Sequence, residues 1–235
     1  MRSLFGVVLA AVLAVATATP VVADAGVLNS RFVDAMWGNP ASPVGYNPDV
    51  QFYAGRRTGT PDYEGNVGVQ YSVGFSWTRT HCDTATNTLV TVALYGPPAG
   101  WAYVDPATWN SSRSGARVEA TVDLRRVTTY RPNCDPWAIA TRIVEDLGPA
   151  TLVAEFEVTG AWERRVSCER YADFEPATLS RTTGWMTSFV EASLTVSGPV
   201  ELEIGPSMQR HASLSQWHSV LGPPDRGQPW ECVPG

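Results

Sequence analysis

Between Val67 and Trp77 the chain alternates without a break: Val67, Val69, Tyr71, Val73, Phe75 and Trp77 are separated by Gly68, Gln70, Ser72, Gly74 and Ser76. Successive side chains of an extended strand point to opposite faces, so these apolar residues share one surface only if the segment is a β-strand. At a helical period they would scatter around the cylinder. Such a strand must bury one face, so it demands partners. It also leads directly into His81, Cys82 and Asp83, which ties it to a cysteine suited to a crosslink.

Partners with the same signature follow along the chain. Beyond the polar Asp83 to Asn87 turn, Leu89 to Tyr95 resumes the extended pattern and predicts an antiparallel hairpin. Ala116, Val118, Ala120, Val122 and Leu124 alternate with charged and polar residues, and the pattern slips at Arg126-Val127 as at a bulge. Leu152 to Val158 forms another half-exposed strand that reaches towards Trp162, and Met186 to Val196 repeats the alternation. Val200, Leu202 and Ile204 follow the Ser197-Gly198-Pro199 break as a second hairpin, and Gln209 to Val220 reads as a final strand.

One helix is expected: Asp135 is placed as its N-cap, Pro136 as its first residue, and Ile139, Ile143 and Leu147 lie on one face before Gly148-Pro149 stops it. Gly26 to Gly65 is rich in turn residues and reads mostly as loop, with Ser30 capping a short helical turn that runs to Trp37. Gly96 to Gly115 reads as a second long loop. Together these elements predict an antiparallel β-sandwich with long loops and one short helix. Trp77-Thr-Arg79 and Trp162-Glu-Arg164 each precede a cysteine, Cys82 and Cys168, an echo of two halves at 66–134 and 150–232. One echo is too short to establish a repeat.

The N-terminus reads as a secretory signal. Arg2 precedes the apolar Leu4 to Ala16 run, and small residues place cleavage after Ala25, with Ala18 and Ala23 as rivals. The apolar run is too short to span a bilayer. Residues 26–235 then form a single domain, expected to be exported and extracellular, with no membrane association once the signal is removed. The four cysteines, Cys82, Cys134, Cys168 and Cys232, all follow the signal, and an even count in an oxidising compartment implies two disulfides. Of the three connectivities, Cys82 with Cys134 and Cys168 with Cys232 closes one loop within each half. All 17 basic residues are Arg, a codon signature of GC-rich bacterial DNA.

A net charge of −6 without any basic tract argues against nucleic-acid partners. Three histidines without ligand spacing predict no metal, and no cofactor motif is present. No Gly-x-Ser-x-Gly elbow marks a nucleophile, and His81 with Asp83 is an adjacency any chain could contain. Glu155 with Glu157, and Glu201 with Glu203, each share a strand face at ~7 Å. Paired carboxylates suit glycoside cleavage, but water-facing strand positions commonly carry Glu.

The aromatic residues are the richer signal. Trp77 and Trp162 belong to core patterns, whereas Trp37, Trp101, Tyr103, Trp109 and Trp230 do not. A ring exposed on a loop offers its face to the C–H side of a sugar or to a partner protein. The expected function is therefore non-catalytic binding of extracellular polysaccharide or protein through Trp101, Tyr103 and Trp109. The alternatives are a secreted glycoside hydrolase using strand carboxylates and a structural extracellular protein.

Overall fold

The computed structural model describes residues 27–38, 49–59, 68–97, 103–171 and 178–222. The N-terminal stretch read as a signal, Trp101, Trp230, Cys232 and the side chain of Cys168 lie outside the described residues. The strands are β1 (Val27–Trp37), β2 (Asp49–Gly59), β3 (Gly68–Asp83), β4 (Thr88–Gly96), β5 (Thr108–Ser111), β6 (Gly115–Pro132), β7 (Thr141–Val158), β8 (Glu163–Tyr171), β9 (Thr178–Thr187), β10 (Val190–Ser197), β11 (Leu202–Ile204) and β12 (Gln209–Gly222). Pro206–Met208 forms a single 3₁₀ turn, and no α-helix occurs among the described residues.

All of these strands belong to one antiparallel sheet, in the order β11, β10, β7, β6, β4, β3, β2, β1, β12, β9, β8, with β5 added to β6. Hydrogen bonding therefore runs through one continuous sheet, not the two separate sheets expected of a sandwich. The sheet buries one face by rolling. Phe52 on β2 and Phe156 on β7 are separated by three strands in the order, yet their ring centroids lie 6.2 Å apart. Val33, Val50, Val73, Val118, Leu152, Leu194 and Leu214, drawn from seven strands, share one core cluster.

The roll brings β10 against β1 and β12 along a seam made by side chains. Ala192 N–H donates to Gln209 Oε1 at 2.6 Å, and Gln209 Nε2 donates to Val190 O at 2.6 Å. Trp37 Nε1 donates to Ala192 O at 3.2 Å. Trp37 is completely buried, so it is a core residue and not the loop aromatic expected.

The expected loop and helical turn at Gly26 to Gly65 are replaced, within the described residues, by β1 and β2. Val33, Ala35 and Trp37 alternate inward, as do Val50, Phe52 and Ala54. Small alanines and interspersed polar residues make this signal faint, and cross-strand pairing supplies what local propensity lacks. The Met186 to Val196 alternation is interrupted at Ser188-Phe189, between β9 and β10.

The expected helix at Asp135 to Leu147 is a turn followed by the first half of β7. Asn133 and Cys134 have φ of 59° and 47°, a backbone that reverses the chain, and residues 141–158 then pair with β6. The spacing of Ile139, Ile143 and Leu147 is a coincidence of one side chain per turn or strand level. Pro149 is tolerated inside β7 because the register shifts beside it, between Leu124 and Arg125, where Gly148 takes φ +93°. This bulge lies close to the slip read at Arg126-Val127.

The β3–β4 hairpin forms as its alternation predicts. At its tip Thr86 Oγ1 donates to Asp83 at 2.9 Å and Ala85 N–H donates at 3.0 Å. These bonds hold the Asp83 carboxyl below its ordinary range. Cys82 is bonded to Cys134, joining this hairpin to the β6–β7 turn. It is the one disulfide among the described residues; the expected Cys168–Cys232 bond falls outside them.

Two stability measurements follow from this architecture. Gln209→Ala strands a buried N–H and a C=O at the seam and is expected to lower the free energy of unfolding in urea by about 2–3 kcal/mol. Reducing Cys82–Cys134, which spans a sequence separation of 52, is expected to cost up to about 4 kcal/mol by the loop-closure relation. A change below about 1 kcal/mol in the first case would mean that the seam is not a structural closure.

Candidate functional site

The outward faces of β1, β2 and β3 bring aromatic and guanidinium side chains together. Phe32 and Tyr53 stack at 6.1 Å with an interplanar angle of 21°, and the Arg57 guanidinium lies over the Phe32 ring at 5.8 Å. Gly55 pairs with Phe32 on one side and Ser72 on the other. A methyl group at Gly55 would come within 2.8 Å of the Phe32 ring and Ser72 Oγ, so only glycine lets Phe32 lie across the strand here.

The consequence is a shallow trough of about 410 Å³ lined by Tyr53, Gly55, Arg57, Gln70, Tyr71, Ser72 and Tyr103. A second depression of about 360 Å³ shares Tyr53 and continues past Asp34, Gln51, Ser76 and Tyr95. A third, of about 290 Å³, shares Gln70, Tyr71 and Tyr103 and ends at Asp105. Tyr53 thus stands where two depressions meet. The walls combine aromatic faces with amide, hydroxyl and guanidinium donors.

The segment carrying Tyr103 is fastened by β5. Arg31 donates to Ser111 O at 2.7 Å and to Ser111 Oγ at 2.9 Å, and Trp109 Nε1 reaches Ser111 Oγ at 3.2 Å. Trp109 packs against the core edge and tilts onto Tyr71 at 6.4 Å. The Arg56 guanidinium lies 5.9 Å from the Tyr71 ring centroid, while its buried Nε has no hydrogen-bond partner among the described residues.

The three aromatics singled out in the sequence therefore have different situations. Tyr103 is 70 % exposed and lines the trough. Trp109 is half-buried and braces the loop, and Trp101 lies outside the described residues. Tyr53, Arg57 and Gln70, which also line the trough, carry no such signal in the sequence. Tyr53 and Arg57 fall in a stretch read as loop, and Gln70 occupies the polar side of the opening strand. The signal that could have found them is the same alternation, read for its outward rather than its inward residues.

The carboxylate pairs sit elsewhere. Glu155 and Glu157 are exposed on β7, and Arg117 pairs with Glu155 and, at 3.2 Å, with Glu119. Glu201 accepts the Gly198 N–H at 3.2 Å, and Glu203 is exposed on β11. One Ser, His and Asp grouping does form: His211 Nε2 lies 3.0 Å from Asp34 Oδ2, and Ser213 Oγ donates to Asp34 Oδ1. The carboxylate stands between the other two, so Ser213 contacts an anion and not the imidazole base that activation requires. Among the described residues no group of three or more His, Cys, Asp or Glu is placed to hold a metal.

Compared with known proteins, the chain matches no family model, no curated protein and no solved structure.

The close approach at Gly55 is directly testable. Gly55→Ala must displace Phe32 or Ser72, and it is expected to destabilise by about 1–3 kcal/mol in urea unfolding. A neutral or stabilising effect would contradict the packing described for the trough floor.

Proposed function

We propose that the protein is an exported, non-catalytic binding protein that takes a polyhydroxylated ligand, an extracellular glycan, in the trough under Tyr103. The observation that carries this reading is the exposed Tyr103 ring beside Tyr53 and Tyr71, with Arg57, Gln70 and Ser72 in the same lining. Aromatic faces accept the apolar C–H side of a sugar ring. Fixed polar groups between them bond its hydroxyls and set its orientation. Because further depressions extend from this trough at both ends, an extended chain suits it better than a single compact sugar. The N-terminal signal pattern and the Cys82–Cys134 bond support an oxidising, extracytoplasmic setting.

A protein partner is a second reading, favoured by one feature of β3. Phe75–Asp83 pairs with β4, but residues 68–74 pair only with β2 among the described residues. That edge, unpaired on this side among the described residues and lying beside Tyr103, suits an extended peptide added as a strand.

Binding to a panel of soluble and insoluble glycans separates these readings. Tyr53→Ala and Tyr103→Ala are each expected to weaken glycan binding about tenfold while leaving the unfolding midpoint near that of the wild type. Retained glycan binding in both variants would overturn the site assignment. Capture of an extended peptide that no oligosaccharide displaces would favour the strand-edge reading instead.

A further inference from the structure

We infer that the outer turn of the β6–β7 arm docks on lipid bilayers bearing anionic headgroups, placing Trp137 and Ile139 at headgroup depth with Arg131 and Arg142 behind them. Trp137 is 91 % and Ile139 94 % exposed. Both lie in the turn that separates the two longest strands.

This turn is built to hold its shape while burying nothing. Trp137 N–H donates to Asp135 Oδ1 at 2.9 Å, Asp135 N–H to Pro132 O at 3.2 Å, and Ala138 N–H to Asp135 O at 3.2 Å. Cys134 N–H donates to Asn87 O at 3.3 Å, and the Cys134 bond to Cys82 ties the turn to the neighbouring hairpin. Two large apolar side chains are thus presented by a braced turn. Just behind it, Ile143 and Val144 remain 50 % and 56 % exposed.

Shape and charge favour a bilayer as the occupant. A headgroup region yields around a protruding tryptophan and isoleucine and suits the amphipathic indole, whereas a protein partner must offer a site shaped for both. Further back on the arm, Arg125 pairs with Asp146 at 2.8 Å and Arg126 with Glu145 at 3.4 Å. Nearer the turn, Arg131 and Arg142 have no carboxylate partner among the described residues. Arg142 pairs in register with Thr129, two positions before Arg131, so the two arginines share one face of the sheet. Asp135 in the turn and Asp83 at the adjoining hairpin tip offset part of this charge, so the attraction rests on the shared face of the two arginines and not on net charge, which for the whole chain is −6.

The test is flotation of the full chain with vesicles of phosphatidylcholine alone and of phosphatidylcholine mixed with phosphatidylglycerol, at low and high salt. The wild type is expected to float with the mixed vesicles at low salt and to be released at high salt. Trp137→Ser combined with Ile139→Ser should abolish flotation. Arg131→Gln combined with Arg142→Gln should weaken it on the order of thirtyfold. All four positions are outside the core, and an unchanged unfolding midpoint confirms that each variant is folded. Absence of wild-type flotation with either vesicle, or flotation unaltered in the Trp137 and Ile139 variant, would overturn the inference. Self-association through the turn in place of flotation would likewise overturn it and identify a second copy as the occupant.

Discussion

The seam between β10 and β12 is the constraint on which the rest of the molecule depends. A single open sheet with one apolar face has nothing to bury it against, and this chain has no α-helix among its described residues to serve as a second layer. Rolling the sheet solves that problem by letting the face cover itself. It also leaves a stretch of β10 backbone at the meeting edge. The Gln209 amide satisfies both polarities there, accepting from Ala192 and donating to Val190, while the Trp37 indole adds a third bond. Neither residue supplies a ladder hydrogen bond across the seam; the contact is made by side chains.

Closure divides the two faces of every strand into different tasks. Along β2 the inward series Val50, Phe52, Ala54 fills the core, and the outward series Tyr53, Gly55, Arg57 forms the trough. The same backbone that fixes one set therefore fixes the other. The 103–111 segment is then pinned by Arg31 and by the packing of Trp109 against the core, which converts an outer sheet surface into a depression with Tyr103 at its side. At the far end of β6 and β7 the strands outrun the core, and their turn depends on hydrogen bonds and a disulfide for its shape.

Strands with uninterrupted alternation of large apolar residues were legible in the sequence. The opening strand, its hairpin partner β4, the inner half of β6 and the core half of β7 all appear where the pattern places them, although the opening strand fully buries its apolar face only at Val73 and Phe75 and leaves Val69 47 % exposed. So does the Cys82–Cys134 bond. What could not be read locally depends on distant partners. Trp37 lacks an obvious core pattern because its hydrogen-bond acceptor is Ala192, remote in sequence and next to it only after rolling. The helix expected over Pro136 to Leu147 fails for a related reason: its apolar spacing fits a helix, but pairing with β6 over a long register outweighs local preference. Pro149, which should exclude a central strand, is accommodated by the bulge beside it. Of the site, Tyr103 could be singled out because it interrupts a proline-rich loop. Tyr53, Arg57 and Gln70 could not, because outward polar and aromatic positions look ordinary until the sheet's curvature brings them together.

Amide hydrogen exchange at Ala192 tests the closure most directly. Its N–H points away from β7, so its only protection is the Gln209 side chain and the water exclusion that the seam provides. If the sheet closes as described, Ala192 exchanges as slowly as the ladder amides of the core strands in the wild type and rapidly in Gln209→Ala. Fast exchange at Ala192 in the wild type, at the rate of an open sheet edge, would contradict the rolled architecture and the account of the trough built on it.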